Sequence, residues 1–120
     1  MAKHNELGKK GEQLAVDFLI KNGYKIRDKN WRFQKAEVDI IAQKGEVLAV
    51  VEVKTRSTEY FGNPQDFVKE KKIKLLVKAI DHYVTSKDLD VEVRFDIIAI
   101  LHQNNKFTIE HLEDAFLHFE

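Results

Sequence analysis

The chain has 120 residues, no cysteine and a formal net charge of zero, with 43% hydrophobic and 33% charged residues. These values are typical of a soluble protein with one hydrophobic core, and they exclude disulfides and thiolate metal sites. The first residues contain no apolar run, and no stretch approaches the roughly 20 apolar residues of a membrane span. We therefore expect one cytoplasmic domain over residues 1–120 without a membrane partner.

The charges are unevenly distributed along the chain. Residues 1–78 contain 17 Lys/Arg against 11 Asp/Glu, whereas residues 79–120 contain 3 against 9. The excess of positive charge in the first part indicates a basic surface, and such a surface attracts polyanions such as DNA. A chance segregation of charges is the alternative.

The first half of the chain predicts one helix and three strands. Apolar residues recur at helical spacing over residues 6–21. Residues 24–33 have mixed character that favours a short strand. The β-branched runs at 37–42 and 47–55 predict two further strands joined by a hairpin at Lys44-Gly45. Because the run after the hairpin is apolar on both faces, we expect it to form a central strand.

The second half predicts a helix between more strands. Pro64 suits the first turn of a helix that extends to about residue 86. Strands are predicted at 91–101 and 106–109, and a terminal helix at 113–120. The order α, β, β, β, α, β, β predicts an α/β fold in which a mixed sheet is covered by a helix on each face, in three layers.

Charged side chains occupy one end of the predicted central strand. Lys54 lies two residues after Glu52, so both side chains point to the face that also carries Leu48 and Val50. Charges at the end of a covered strand reduce stability unless other groups compensate them. This pattern therefore indicates either a functional site or a structural network of salt bridges.

The predicted hairpin brings a further acid to this face. A loop at Lys44-Gly45 pairs Asp39 with Val50 and Glu37 with Glu52, so that Asp39 and Glu52 are diagonal neighbours on one face. Like charges in this arrangement repel each other unless a cation lies between them, and Mg²⁺ or Mn²⁺ takes carboxylate ligands. A loop with an odd number of residues would place the two acids on opposite faces.

These residues predict a metal site with catalytic function. Asp39, Glu52 and the main-chain carbonyl of Val53 would hold a metal that polarises the scissile phosphate and acidifies a water. Lys54 would position or deprotonate that water, or neutralise the developing charge. Glu12 lies beside the apolar stripe of the first helix and points inward or to the boundary of the buried face, where it would hold a second metal or orient a metal-bound water.

Basic residues outside this cluster are candidates for binding the phosphates of a nucleic acid. They are Arg32, Arg56, Lys69, Lys71 and Lys72, with Lys74 and Lys78 on the same predicted helix. A solvated helix face is the alternative. Trp31 and Phe33, on either side of Arg32, are candidates for stacking on an unpaired base, with ordinary packing as the alternative interpretation.

Several motifs are together typical of one protein family. They are Gly11-Glu12, Asn30-Trp31-Arg32, Ala36 to Ala42, Val51 to Arg56, Phe61-Gly62 with Pro64, Arg94-Phe95-Asp96 and Ile98-Ala99-Ile100. Through them nearly the whole chain resembles the YraN-like family of uncharacterised bacterial proteins. That family is placed in the restriction-endonuclease-like, or PD-(D/E)xK, superfamily and is similar to archaeal Holliday junction resolvases. Ala36 stands where the family usually has glycine.

The resemblance implies a restriction-endonuclease-like three-layer α/β/α fold, with Glu12, Asp39, Glu52 and Lys54 as catalytic residues. We therefore expect a Mg²⁺-dependent endonuclease, with Mn²⁺ as the alternative metal, that hydrolyses phosphodiester bonds in branched or otherwise structured DNA. A homodimer would suit the cutting of two strands in register. One alternative is a nucleic-acid-binding module of the same fold with little turnover. Another is a structural partner in an assembly.

Overall fold

The computed structural model describes residues 2–57 and 70–115. Its elements follow the predicted order. They are α1 (Ala2–Lys21), β1 (Lys25–Phe33), β2 (Ala36–Lys44), β3 (Val47–Arg56), α2 (Glu70–Ser86), β4 (Glu92–Gln103) and β5 (Lys106–Leu112). No helix in this part of the chain is long and apolar enough to cross a membrane.

Strand β1 occupies nearly all of residues 24–33, the segment in which the sequence predicted a short strand. It pairs with β2 over nine residues, but the pairing shifts between Ile26 and Asp28. Asn30 also has a positive φ of 50°. Irregularities of this kind interrupt the alternation of side chains, so the sequence of this strand shows no clear period of two.

Two predicted helices lie partly outside the described residues. The predicted start of the second helix at Pro64 lies outside them, and α2 is described from Glu70 onward. Most of the predicted terminal helix also lies outside them. Residues 113–115, which are described, form a turn after β5.

The five strands form one mixed sheet in the order β1-β2-β3-β4-β5. Strands β3 and β4 are parallel, and the other neighbours are antiparallel. Parallel neighbours need a crossover connection, and α2 lies between these two strands in the chain. The prediction that β3 is the central strand is confirmed.

The register of the β2–β3 hairpin differs from the prediction by two residues. Lys44 pairs with Val47, so the two-residue loop is Gly45-Glu46, one position later than predicted. The glycine has a positive φ of 60°, as the first central position of a type II′ hairpin turn requires. The predicted pairing of Asp39 with Val50 is therefore wrong. Because the shift is even, the assignment of side chains to sheet faces is unchanged.

Each face of the sheet is covered by one helix, which confirms the predicted layers. The cluster under α2 includes Leu48, Val50, Ile73, Leu76 and Tyr83. The cluster under α1 includes Ala15, Leu19, Ile40, Val51 and Ile98. Full burial of an aliphatic side chain contributes about 1.5–3 kcal/mol, so these two clusters fix both helices on the sheet that carries the predicted acids.

Candidate active site

The two predicted acids lie where the regular pairing of β2 with β3 ends. The last pair is Ile40 with Val51, and continuation of this register would place Asp39, not Glu37, opposite Glu52. Beyond this pair the main-chain N–H of Val53 donates a hydrogen bond of 2.8 Å to Oδ2 of Asp39. The side chain of Asp39 is therefore fastened to β3 beside the acid with which it was predicted to act.

The environment of Asp39 opposes its ionisation. The pKa of Asp39 is raised from 3.8 to about 7, first by burial and then by the negative charge of Glu52 and a side-chain hydrogen bond with it, whereas the bond from Val53 lowers this pKa. The charge of Glu12 adds a smaller upward shift. Near neutral pH this pair of carboxyl groups is consequently stabilised by a shared proton or by a cation.

Two lysines contact the second acid. Glu52 is buried, and its Oε2 lies 3.4 Å from Nζ of Lys54. This contact agrees with the predicted placement of both side chains on one sheet face. Nζ of Lys72, from α2, forms an ion pair with the same oxygen. Lys72 was predicted only as a phosphate-binding residue, so its contact with a candidate catalytic acid was not foreseen.

A cavity of about 260 Å³ lies at this position. It is lined by Lys35, Ala36, Glu37, Asp39, Glu52, Lys72, Leu75 and Leu76. Both predicted acids therefore face one cavity between the sheet and α2. The lining combines acidic, basic and apolar groups, which suits a ligand that carries both charge and apolar surface.

The close approach of α1 to β3 brings Glu12 into this region. A Cβ atom added to Gly11 would lie only 2.0 Å from Oγ1 of Thr55, so the helix can pack at this distance only because residue 11 has no side chain. The next residue is Glu12, which is partly exposed and acts electrostatically on Asp39. Gly11 thus positions the acid that the sequence assigned as the fourth member of the site.

The donor groups fit Mg²⁺ or Mn²⁺. Within residues 2–57 and 70–115, no three His, Asp or Glu side chains converge on one metal position. Mg²⁺ does not require such a cage, because it is usually held by one or two carboxylates, with waters and substrate phosphates completing its octahedral coordination. Asp39 and Glu52 provide two neighbouring carboxyl groups, and a divalent cation would compensate their mutual repulsion. Glu12 and the carbonyl of Val53 remain predicted ligands.

The other predicted phosphate-binding residues have different surroundings. Arg32 is exposed and lies 3.2 Å from Glu37. Arg56 is partly buried, and its guanidinium donates a hydrogen bond of 2.9 Å to the carbonyl of Thr55. Lys71 is exposed at the start of α2. Lys69 lies outside the described residues.

Asp96 is the centre of a second polar cluster, which is structural. It is fully buried, and Arg94 donates to both of its oxygens. His111 lies with Nε2 at 2.8 Å from Oδ2 of Asp96 and has a side chain only 12% exposed. Burial would raise the pKa of Asp96, but hydrogen bonds from His111 and Arg94 outweigh it and lower this pKa.

Sequence comparison places the chain among known relatives. A profile of the uncharacterised protein family UPF0102 matches residues 11–100. The chain is 64% identical to the UPF0102 protein FP2501 of Flavobacterium psychrophilum, and the alignment covers 99% of this chain and 100% of the relative. It is 62% identical to a UPF0102 protein of Christiangramia forsetii with the same coverage. For a UPF0102 protein of Phocaeicola vulgatus the identity is 48%, over 97% of this chain and 96% of the relative.

The matched segment contains the whole acidic pair with its lysine, together with Glu12 and the close-packing Gly11. These matches confirm the resemblance drawn from the sequence motifs. The chain belongs to the uncharacterised protein family UPF0102, the YraN-like family.

Proposed function

We propose that this protein is a Mg²⁺-dependent endonuclease that hydrolyses phosphodiester bonds in DNA. The observation that supports the proposal is the contact between two acids, Asp39 and Glu52, beside a cavity and next to Lys54. A structural ion pair needs one acid and one base. A second carboxyl group placed against a buried one lowers stability, and such arrangements are concentrated at functional sites.

The residues have distinct roles in the proposed reaction. Asp39 and Glu52 hold the metal, which when bound supplies Lewis-acid activation of the scissile phosphate and of a water. The N–H of Val53 fixes the orientation of Asp39 through its 2.8 Å bond. Lys54, held 3.4 Å from Glu52, places its ammonium group to orient the attacking water or to neutralise charge on the phosphate. Glu12 adds a third carboxylate at the edge of the site.

DNA is the proposed substrate because the two elements β1 and α2, which lead to the cavity, carry an excess of basic residues. Strand β1 carries four basic residues and one acidic residue, and α2 carries four basic and two acidic residues. Neutralisation of phosphates by such side chains provides sequence-independent affinity. Branched or structured DNA, and a homodimer that places two sites on two strands, are part of the proposal.

A nuclease assay tests this proposal. The purified protein is incubated with single-stranded, duplex, flap and four-way DNA in the presence of Mg²⁺ or Mn²⁺. Cleavage of at least one substrate is expected, with a loss on the order of 100-fold in Asp39→Asn and Lys54→Ala. Asp17→Asn is the matched control because Asp17 is exposed on α1 and accepts a hydrogen bond from Gln13, four residues earlier in the chain. Equal activity in Asp39→Asn and Asp17→Asn would exclude the proposed site.

A second candidate is a nucleic-acid-binding module with little turnover. The observation that favours it is the ion pair between Lys72 and Glu52, because the protein itself supplies a cation to the acidic pair. This candidate predicts DNA binding that is unchanged in Asp39→Asn, with no cleavage of any substrate in the panel. Metal-dependent cleavage that is lost in Asp39→Asn would exclude it.

A further inference from the structure

Three aromatic rings lie nearly parallel beside the candidate active site. The rings of Trp31 and Phe33 have centroids 6.2 Å apart and planes inclined by 6°. Phe33 also stacks on His82 of α2, with centroids 4.2 Å apart and planes inclined by 22°. We call Trp31, Phe33 and His82 the aromatic ladder. It connects edge strand β1 with helix α2.

One end of the aromatic ladder is fixed in the core, and the other is open to solvent. Trp31 packs edge-on against Tyr83, with centroids 5.1 Å apart, and Tyr83 is only 1% exposed. Phe33 is partly exposed and His82 is exposed. The ladder is thus fixed by packing at its core end, while aromatic surface at the other end remains accessible. This is the arrangement of a binding platform.

The aromatic ladder borders the cavity that contains the acids. Phe33 pairs with Ala36, and both Ala36 and Lys35 line that cavity. On the other side, α2 carries Lys72 in the cavity and His82 ten residues later, a rise of about 15 Å along the helix axis. A flexible ligand that lies on the ladder can therefore continue into the cavity past Lys35.

The charges around the aromatic ladder select the kind of ligand. Exposed Lys35 follows Phe33 in the turn after β1, and exposed Lys78 lies one helical turn before His82 on α2. Flat aromatic surfaces surrounded by cations suit a ligand with planar rings on an anionic backbone. An unpaired segment of nucleic acid has this chemistry, and each base stacked on an aromatic side chain contributes about 1–3 kcal/mol. Bases in an intact duplex are not available for such stacking.

We propose that the aromatic ladder is a base-stacking platform that holds an unpaired segment of DNA next to the candidate active site. The statement that DNA is cut next to the platform rests on the proposed function. The statement that unpaired DNA binds rests on the aromatic ladder alone. It narrows the substrate class to DNA in which a single-stranded segment adjoins the bond to be cut.

The single tryptophan of the chain provides the measurement. In the presence of EDTA, so that no cleavage occurs, the full-length protein is titrated with oligothymidylate while the fluorescence of Trp31 is recorded. Quenching is expected on binding. An oligomer of abasic residues with the same number of phosphates is expected to bind on the order of tenfold more weakly, because each stacked base contributes about 1–3 kcal/mol. It should also quench the fluorescence little.

Two variants test the contribution of the rings. Phe33→Leu and His82→Ala should each weaken oligothymidylate binding by roughly 5- to 100-fold. Phe107→Leu is the matched control. Phe107 lies on β5, at the opposite edge of the sheet, and also stacks on a histidine, His102, with centroids 4.3 Å apart. His82 is exposed, so His82→Ala should keep the wild-type melting temperature even if Phe33→Leu does not.

The outcomes separate this inference from the proposed function. Equal binding of the abasic and base-containing oligomers, or wild-type affinity in a folded His82→Ala, would overturn the base-stacking platform. In the wild-type protein, binding that depends on the ladder, without cleavage in Mg²⁺, would support the platform and contradict the nuclease. Cleavage that is unaffected by the ladder variants would contradict the platform alone.

Discussion

Asp39 is held against β3 by the hydrogen bond that the N–H of Val53 donates to its Oδ2, although Glu52 on that strand repels it. The bond fixes an acid at a position where burial and a second carboxyl group both disfavour its charge. A local cost of this kind is retained where the group has a function. This relationship makes Asp39 the most informative residue to change.

Replacement of Asp39 by Asn should not destabilise the metal-free protein. The amide oxygen can still accept the bond from Val53, and an uncharged side chain no longer repels Glu52. The melting temperature without metal should therefore be equal or higher, whereas stabilisation by Mg²⁺ or Mn²⁺ should be lost. In the wild type, metal at 100 times its dissociation constant should add about 2.7 kcal/mol to the free energy of unfolding. If Asp39→Asn is strongly destabilised, and divalent metal does not change the melting temperature of the wild type, then Asp39 has a structural role.

The pKa of Asp39 predicts how the stability of the metal-free protein depends on pH. Because this pKa is about 7 in the folded state against 3.8 for an ordinary aspartate, the folded protein binds more protons than the unfolded chain between these values. The free energy of unfolding should therefore fall as pH rises through this window, relative to Asp39→Asn, by at most about 1.4 kcal/mol per pH unit. Urea unfolding of both proteins across the window measures this difference. If the difference in the free energy of unfolding between the two proteins does not change with pH, Asp39 is ionised in the folded protein throughout this window.

The part of the site that depends on local periodicity was predictable from the sequence. Glu52 and Lys54 lie two residues apart in a strand, so their common face follows directly. The error of two residues in the register of the hairpin preserves the parity of its paired residues, and Asp39 and Glu52 line one cavity although the predicted partner of Asp39 was wrong. Gly45 determined that register by taking the position with positive φ.

Contacts between distant segments were not predictable in this way. The position of Lys72 over Glu52 depends on how α2 is rotated on the sheet, which Ile73 and Leu76 fix through packing. The pairing of His111 with Asp96 depends on the register of β4 with β5. Neither quantity is encoded in a short sequence pattern, since both follow from side-chain packing across the whole core.

The close contact at Gly11 predicts opposite effects for two similar substitutions in α1. Gly11→Ala places a Cβ atom 2.0 Å from Oγ1 of Thr55, so helix or strand must move, at a cost of about 1–3 kcal/mol. Gly8→Ala meets nothing within 4 Å and should stabilise by about 0.5–1 kcal/mol through helix propensity. Chemical denaturation of both variants measures this contrast. Thr55→Ala should partly restore Gly11→Ala, and equal stability of the two alanine variants would show that the close approach is dispensable.

The structural acid Asp96 should respond to the same substitution in the opposite direction from Asp39. Asp96→Asn leaves the buried guanidinium of Arg94 and the ring nitrogen of His111 with a weaker partner, which should reduce stability by about 3–5 kcal/mol. Because the pKa of Asp96 is lowered in the folded state, its contribution is present above pH 3.8 and is lost as the solution becomes more acidic. Thermal melting measures the effect. A mild loss comparable to that of an exposed acid such as Asp17 would contradict this assignment.

Lys72 should compete with a divalent metal for Glu52. Its ammonium group pairs with the same carboxylate that is proposed as a metal ligand, so removing the amine should leave Glu52 more available. We expect Lys72→Met to bind Mn²⁺ on the order of tenfold more tightly, as about 1.4 kcal/mol of relieved competition gives. Lys74→Met is the matched control on the same helix, because Lys74 is 77% exposed and its ion pair with exposed Glu70, at 3.5 Å, is a contact of small energetic value.

Isothermal titration with Mn²⁺ at one pH and ionic strength compares these two variants with the wild type. Both lose one positive charge, so a general electrostatic effect would change their affinities equally. Tighter binding in Lys72→Met alone would support direct competition at Glu52. Equal dissociation constants in the two variants would show that Lys72 leaves the carboxylate free for the metal, and its contact with Glu52 would then be a structural ion pair.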